Sequence, residues 1–257
     1  MAVAAYRLLF AALLLLPALC LRGRKSLPDR KTLPFVLGSG AFLALHFATW
    51  ISSLSLTSVA SSVILVNTVP LWVALFSLLT GEKLSRVMLL ALAMSFCGGA
   101  LIGYGDFSFS LQALRGDLLA LAGAMSFAGY VLLGKKVRPH LSLLTYVGVC
   151  YGSAALFLCT TNLFLRVPMT GFSPKAWWIF LGSALVPQIL GHSIVNWALA
   201  RCSAHLVSIS LLGESLVSSL LAWVLFGEVP NPIAYPGFAL LLTALFLAAR
   251  EEGRRQE

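Results

Sequence analysis

Glu214 is the residue whose type and place most invite chemistry. It stands inside an apolar run, LVSISLLGESLVSSLLAWVLFGE. An acidic side chain at the centre of a membrane helix costs ~2.5 to 3.5 kcal/mol, so it usually faces a cavity or a partner. There a carboxyl group can take up and release a proton, or simply bond to a neighbouring helix. His46 and His192 hold matching places in two similar stretches and can relay protons or orient an anion; an interhelical hydrogen bond is the plainer alternative for each. Gln188, His192 and Asn196 recur every four residues, which lines them along one helix face with Trp197 beside it. Such a stripe either lines a path or ties helices together, at ~0.6 to 2 kcal/mol per bond. Asn67, Thr68 and Pro70 fall in the middle of another apolar run, with Thr68 at the position matching Glu214. Proline removes one backbone hydrogen bond and kinks the helix, leaving carbonyls that Asn67 or a bound solute can use. Trp50, one turn after His46, supplies an aromatic wall or packs at an interface. The candidate path is therefore His46, Trp50, Asn67, Thr68, Gln188, His192, Asn196, Trp197 and Glu214, with Glu214 and His192 as candidate proton carriers.

Other polar residues carry plainer readings. Arg7 can neutralise a bound charge or Glu214, but snorkelling to the outer headgroups is the simpler expectation. Glu82 and Glu228 each follow a glycine at the end of an apolar run and read as helix-terminal residues near solvent. His205 lies near a run's end and His140 in a loop, and neither is assigned a role. Cys20, Cys97, Cys150, Cys159 and Cys202 lack metal-ligand or CxxC spacing and read as small apolar residues. There is no GxxxxGK[ST] loop, no HExxH and no nucleophile elbow, so no catalytic residue, metal or cofactor is expected.

The elements that must position these groups follow from composition. Of 257 residues, 59% are hydrophobic and 11% charged, against about 25% charged in a soluble domain. Apolar runs recur at near the length that crosses a ~30 Å hydrocarbon core as a helix. Nine spans are expected: 3–21, 34–55, 57–79, 86–104, 117–134, 143–165, 176–198, 206–226 and 233–249. The fold class is an all-α polytopic membrane protein. The first span resembles a signal peptide, but its Pro-Ala-Leu-Cys end lacks a cleavage site, and Arg22, Arg24, Lys25, Arg30 and Lys31 follow at once, so it is read as retained. The net charge of +9 is not a nucleic-acid footprint, because the basic residues cluster between apolar runs. With the loop after the first span placed in the cytoplasm, fourteen basic loop or end residues fall inside and Arg115, Arg166 and Lys175 outside. The C-terminus is then cytoplasmic.

The stretch from His46 to Glu82 matches that from His192 to Glu228 at a constant offset of 146 residues, both opening on His and closing on Gly-Glu. Five spans separate equivalent points, so the two copies are expected to be inverted in the membrane, with a path near the midplane where they meet. Residues 1–105 form the first repeat, of four helices, and 116–250 the second, of five. Span five has no counterpart after Met1, so one further helix is expected to precede this chain.

These stretches carry a resemblance: AAYRLLFAALLL, TWISSLSLTSVASSVILVNTVPLWVALFSLLTGEKLS, GDLLALAGAMSFAGYVLL and GHSIVNWALARCSAHLVSISLLGESLVSSLLAWVLFGEVP. The chain resembles the EamA-like branch of the drug/metabolite transporter superfamily over almost its whole length. The resemblance implies a ten-helix bundle of two inverted five-helix repeats, here lacking its first helix, and transport of a small molecule without enzymatic activity. The proline that commonly follows the family's Leu-Glu pattern is Ser215 here, which implies a straighter helix. The reading is a secondary transporter of the inner membrane, most simply an exporter of small metabolites, amino acids or drug-like molecules. The alternative is a non-transporting or incomplete membrane subunit that needs a partner helix. The partners are then a small-molecule substrate and the lipid bilayer; a homodimer is compatible with the sequence, and no nucleic acid is expected.

Overall fold

A computed structural model describes residues 1–23, 27–102, 110–227, 229 and 231–256; Arg24, Lys25 and Glu228 lie outside the described residues. The described residues form helices and connecting turns, with no strand. In a bilayer every backbone N–H and C=O needs a partner within the chain, and these apolar runs obtain one by coiling as helices. The elements are α1 (Ala2–Leu21), α2 (Leu33–Ser53), α3 (Val59–Val66), α4 (Val69–Leu79), α5 (Arg86–Ile102), α6 (Leu111–Val137), α7 (Leu143–Phe164) and α8 (Pro174–Ser183). A π-helical segment, Ala184–His192, runs on into α9 (Ser193–Leu199), and α10 (Ala204–Leu211), α11 (Gly213–Phe226) and α12 (Ala234–Gln256) follow.

Local sequence sets the helix ends. Ser58, Ser142, Ser173 and Ser203 cap α3, α7, α8 and α10, each side chain accepting a first-turn backbone N–H. Pro174 opens α8 where its missing N–H costs nothing. Gly81 and Gly227 close α4 and α11 at φ of 87° and 72°, a left-handed conformation that a side chain disfavours. Asp29 Oδ1 accepts the backbone N–H of Thr32 at 2.8 Å just ahead of α2, and hydrogen bonding from the Thr32 side chain, together with this backbone bond, draws the Asp29 carboxyl below its usual pKa.

Among the described residues, eight helices or helix series are long and apolar enough to span a membrane, and α5, with 17 residues, is a shorter apolar helix. The nine expected segments are all present as helix, so the nine-span count holds approximately. Three spans are interrupted. The third breaks between α3 and α4, where the sequence suggests a proline kink within one helix. Pro70 instead sits in the first turn of α4, and Thr68 Oγ1, rather than Asn67, takes the Leu65 carbonyl at 2.6 Å. The eighth breaks at Leu212, between α10 and α11. Tight turns from Leu212 N–H to Ile209 and from Ser215 N–H to Leu212 replace the regular ladder there. The seventh widens into the π segment around Pro187, which relieves the clash of the proline ring with the preceding turn.

Two compact units emerge. The first takes residues 1–52 and 129–201, and in it α1 packs along α7 and against α8 and the π segment. The second takes residues 53–128 and 202–257, with α5 against α12 as its most extensive packing and a core of Ala74, Met88, Leu92, Ile209 and Ala244. Each unit thus draws helices from both 1–105 and 116–250.

Candidate functional site

The first unit gathers six of the nine candidate residues. Gln188 and Asn196 are fully buried, and His192 between them is partly buried. Widening Ala184–His192 to a π-helix keeps Gln188 pointed inward despite Pro187. Asn196 Nδ2 lies within hydrogen-bond reach of the Tyr130 hydroxyl at 2.5 Å, the His192 carbonyl at 2.7 Å and the Tyr151 hydroxyl at 3.4 Å. The Tyr151 hydroxyl also reaches Ser193 Oγ at 3.3 Å and the Gln188 carbonyl at 3.5 Å. A second buried strand of the network joins Ser39 Oγ to the Tyr146 hydroxyl at 2.5 Å and to the Tyr130 carbonyl at 3.3 Å. Among the described residues, Gln188 Nε2 and Asn196 Oδ1 are buried without a hydrogen-bond partner.

The rings assemble beside this network. The Phe47 ring lies 4.9 Å from that of His46 and 5.4 Å from that of His192, while His46 stacks on Trp50 at 5.5 Å. His192 also faces Tyr130 at 6.0 Å. Arg7 completes the cluster: it is 9% exposed, its guanidinium carbon sits 4.4 Å over the Phe47 ring, and its Nε donates to Gln188 Oε1 at 2.9 Å. The snorkelling expected of Arg7 is therefore overturned. A cation–π contact and an amide oxygen hold it inside the unit, and such contacts strengthen as water is excluded.

Trp197 is not part of the cluster. It is 48% exposed, and Arg201 lies 4.3 Å over its ring, an arrangement typical of a span end. Arg138, counted as a loop cation by sequence, is buried and donates from Nε to the Asn196 carbonyl at 2.8 Å and from its terminal nitrogen to the Leu141 carbonyl. Burial lowers its pKa from the usual guanidinium value, and it closes the C-terminal end of α9 as a cation there should.

The second unit holds Asn67, Thr68 and Glu214. The breaks in spans three and eight meet through Asn67 Nδ2, which donates to Ser215 Oγ at 3.3 Å. Thr68 is buried and accepts from Trp72 Nε1 at 3.1 Å. Glu214 is exposed, in the first turn of α11, where the helix dipole attracts an acidic side chain. Two further contacts in this unit escaped the sequence. Asp117 Oδ1 accepts from both Thr57 and Ser61 hydroxyls at 2.8 Å, and His205, almost fully buried, pairs through Nε2 with Glu82 Oε1 at 3.3 Å. Glu82 itself stays half-exposed, as a helix-terminal residue should.

Sequence spacing found Gln188, His192 and Asn196 because they share one span. It missed Arg7, Phe47, Tyr130 and Tyr151 as members of the same cluster. A charged residue or a tyrosine hydroxyl inside an apolar run is the signal that would have found three of them. No three His, Cys, Asp or Glu side chains converge as metal ligands among the described residues. The site presents hydrogen-bond donors, imidazoles and aromatic faces.

Known proteins of similar sequence point the same way. A protein of Archaeoglobus fulgidus named as an uncharacterized transporter is 29% identical over 95% of this chain and 85% of its own length. The pseudopaline exporter CntI of Pseudomonas aeruginosa is 25% identical over 86% of this chain and 77% of its own. A crystal structure of 18% identity superposes with a TM-score of 0.81, covering 100% of this chain and 89% of that one, which bears on the fold alone. The family model described as the EamA-like transporter family matches residues 1–104 and 114–250. With interrupted apolar spans, a buried polar cluster and a match over nearly its full length, the chain belongs to the EamA-like transporter family.

Proposed function

We propose that this transporter exports small metabolites, amino acids or drug-like molecules across the inner membrane by alternating access. As a member of a transporter family it is a multi-pass membrane protein that moves small molecules and is not an enzyme. The observation that carries the finer reading is the buried and half-buried cluster of Arg7 on α1, His46 and Phe47 on α2, and Gln188, His192 and Asn196 on the interrupted seventh span, where polar groups are expensive unless they serve a partner or a solute. Discontinuous helices at such a site leave backbone and side-chain groups turned to a substrate rather than to their own ladder. Export is the direction for which the Pseudomonas relative is named, and that supports it here. In this reading the repeats 1–105 and 116–250 are inverted and rock against each other, with the C-terminus cytoplasmic. In the same reading a gradient does the work, with Glu214 and His192 as proton carriers.

The test is the composition of the medium around cells that express the chain, compared with cells that express Glu214→Gln. A metabolite that accumulates outside only with the unaltered chain, and several-fold less with the variant, is the expected result. Equal media across amino acids, nucleosides and toxic cations, with the protein inserted in the membrane, would remove the export reading.

A further inference from the structure

We infer that Arg7 and Gln188 form a recognition site for a carboxylate on the transported molecule, an assignment that rests on the transport reading above and names its substrate class. Four observations converge on it. Arg7 stands inside α1 and is buried, fixed from one side by the Phe47 ring and through Nε by Gln188 Oε1 at 2.9 Å. The same Gln188 is fully buried, and its Nε2 has no hydrogen-bond partner among the described residues. An amide N–H in that position seeks an acceptor, and burying it unmet is costly. The orientation is imposed by the backbone. The π segment around Pro187 carries Gln188 inward, and the Tyr151 hydroxyl braces its carbonyl at 3.5 Å.

The chemistry selects an anion over a cation or a neutral amide. A carboxylate presents two oxygens, which suit a guanidinium and an adjacent amide N–H, and charge-assisted bonds of this kind are the strong ones. His46 and His192 flank the Phe47 ring that holds Arg7, adding two imidazoles that can donate. The first unit contributes one acidic residue, Asp29, and it lies in the loop ahead of α2, so no span of this unit presents a carboxylate to repel the substrate's own. His192 and Trp50, both partly exposed, are where the rest of the molecule would lie.

The experiment is ligand-induced thermal stabilisation of the full chain in lipid nanodiscs with matched acid and amide probes, namely phenylalanine against phenylalaninamide and leucine against leucinamide. The acids should stabilise at concentrations where the amides do not. Arg7→Gln should weaken the acids by about ten- to a hundredfold, the scale of a lost charged hydrogen bond. Because removing a buried arginine can unfold the chain, Gln188→Glu is the second variant. It keeps the side chain's shape, places a carboxylate on Arg7, and should abolish the acid preference in a protein that still melts cooperatively. Equal stabilisation by acids and amides, stabilisation by neither, or an acid preference that survives Gln188→Glu would each overturn the assignment. Flux of the same probes in proteoliposomes separates the two readings. Selective acid binding without flux would sink transport and leave the site standing, whereas flux without acid preference would do the reverse.

Discussion

Asn196 ties the first unit's network together, because one amide nitrogen reaches Tyr130 on α6, Tyr151 on α7 and the carbonyl of His192. Replacing it by alanine removes the amide that both buried tyrosine hydroxyls share, at a cost of about 1 to 3 kcal/mol. Asn196→Ala should therefore lower the melting temperature of the purified protein; an unchanged melt would mean the contacts are dispensable for stability. How much of this was legible is instructive at the same scale. Residues 188, 192 and 196 share one face at helical spacing, and the burial of Gln188 and Asn196 agrees with that, while His192 between them is partly buried. Trp197 is the next residue along, which turns it about 100° round the helix, and it is exposed where the stripe is not. Arg7 meets Gln188 across 181 residues of chain, and no periodicity encodes a pairing at that separation. Asp117 and the His205–Glu82 pair were passed over for the same reason.

Between helices, the deciding groups are small. The sequence marks Gly98-Gly99 as a place where helices can approach, but spacing does not say which glycine faces a neighbour. A methyl group on Gly98 would lie 2.8 Å from the Gly237 carbonyl oxygen, and one on Gly237 would lie 2.7 Å from that of Gly98, whereas Gly99 has nothing within 4 Å. Backbone atoms cannot turn aside, so α5 and α12 would have to part. Gly98→Ala and Gly237→Ala should each destabilise by about 1 to 3 kcal/mol. The double variant should cost less than their sum, since one separation relieves both clashes. Gly99→Ala should be neutral or stabilising by up to ~1 kcal/mol, because alanine is the better helix former. Thermal melts of the four proteins decide this, and equal losses at 98 and 99 would refute the crossing. The interruptions were legible only in part. Pro70 announces a break in span three and Pro187 a disturbance in span seven, yet the break at Leu212 has no proline. Its local signal is Gly213, a poor helix former directly after the break, and a second signal is positional, 146 residues after the end of α3 at Val66.

For the molecule as a whole, the fold class was the most legible property, because the excess of apolar residues leaves helices in lipid as the only way to satisfy the backbone. Orientation is a finer matter, and it turns on α5. Its 17 described residues, Arg86–Ile102, rise about 25 Å against a ~30 Å core. Mismatch of that size costs only fractions of a kcal/mol per Å and is met by local thinning of the bilayer. Charge supplies the stronger argument. Seven of the fourteen basic residues expected on the cytoplasmic side precede or begin α5, ending at Lys83 and Arg86, and seven follow it, beginning at Lys135. If α5 failed to cross, every later segment would invert, and Lys135, Lys136, Arg138, Arg201 and Arg250 would all move outside, against the positive-inside bias. Alkaline phosphatase fused after Lys83, after Arg138 and at Glu257 should accordingly be inactive at all three places, and a fusion after Lys175 active. Opposite activities at Lys83 and Arg138 would show that only one of α5 and α6 crosses. In that case the expected cytoplasmic C-terminus and the inverted relation of the repeats would fall together, because both depend on the same parity of crossings.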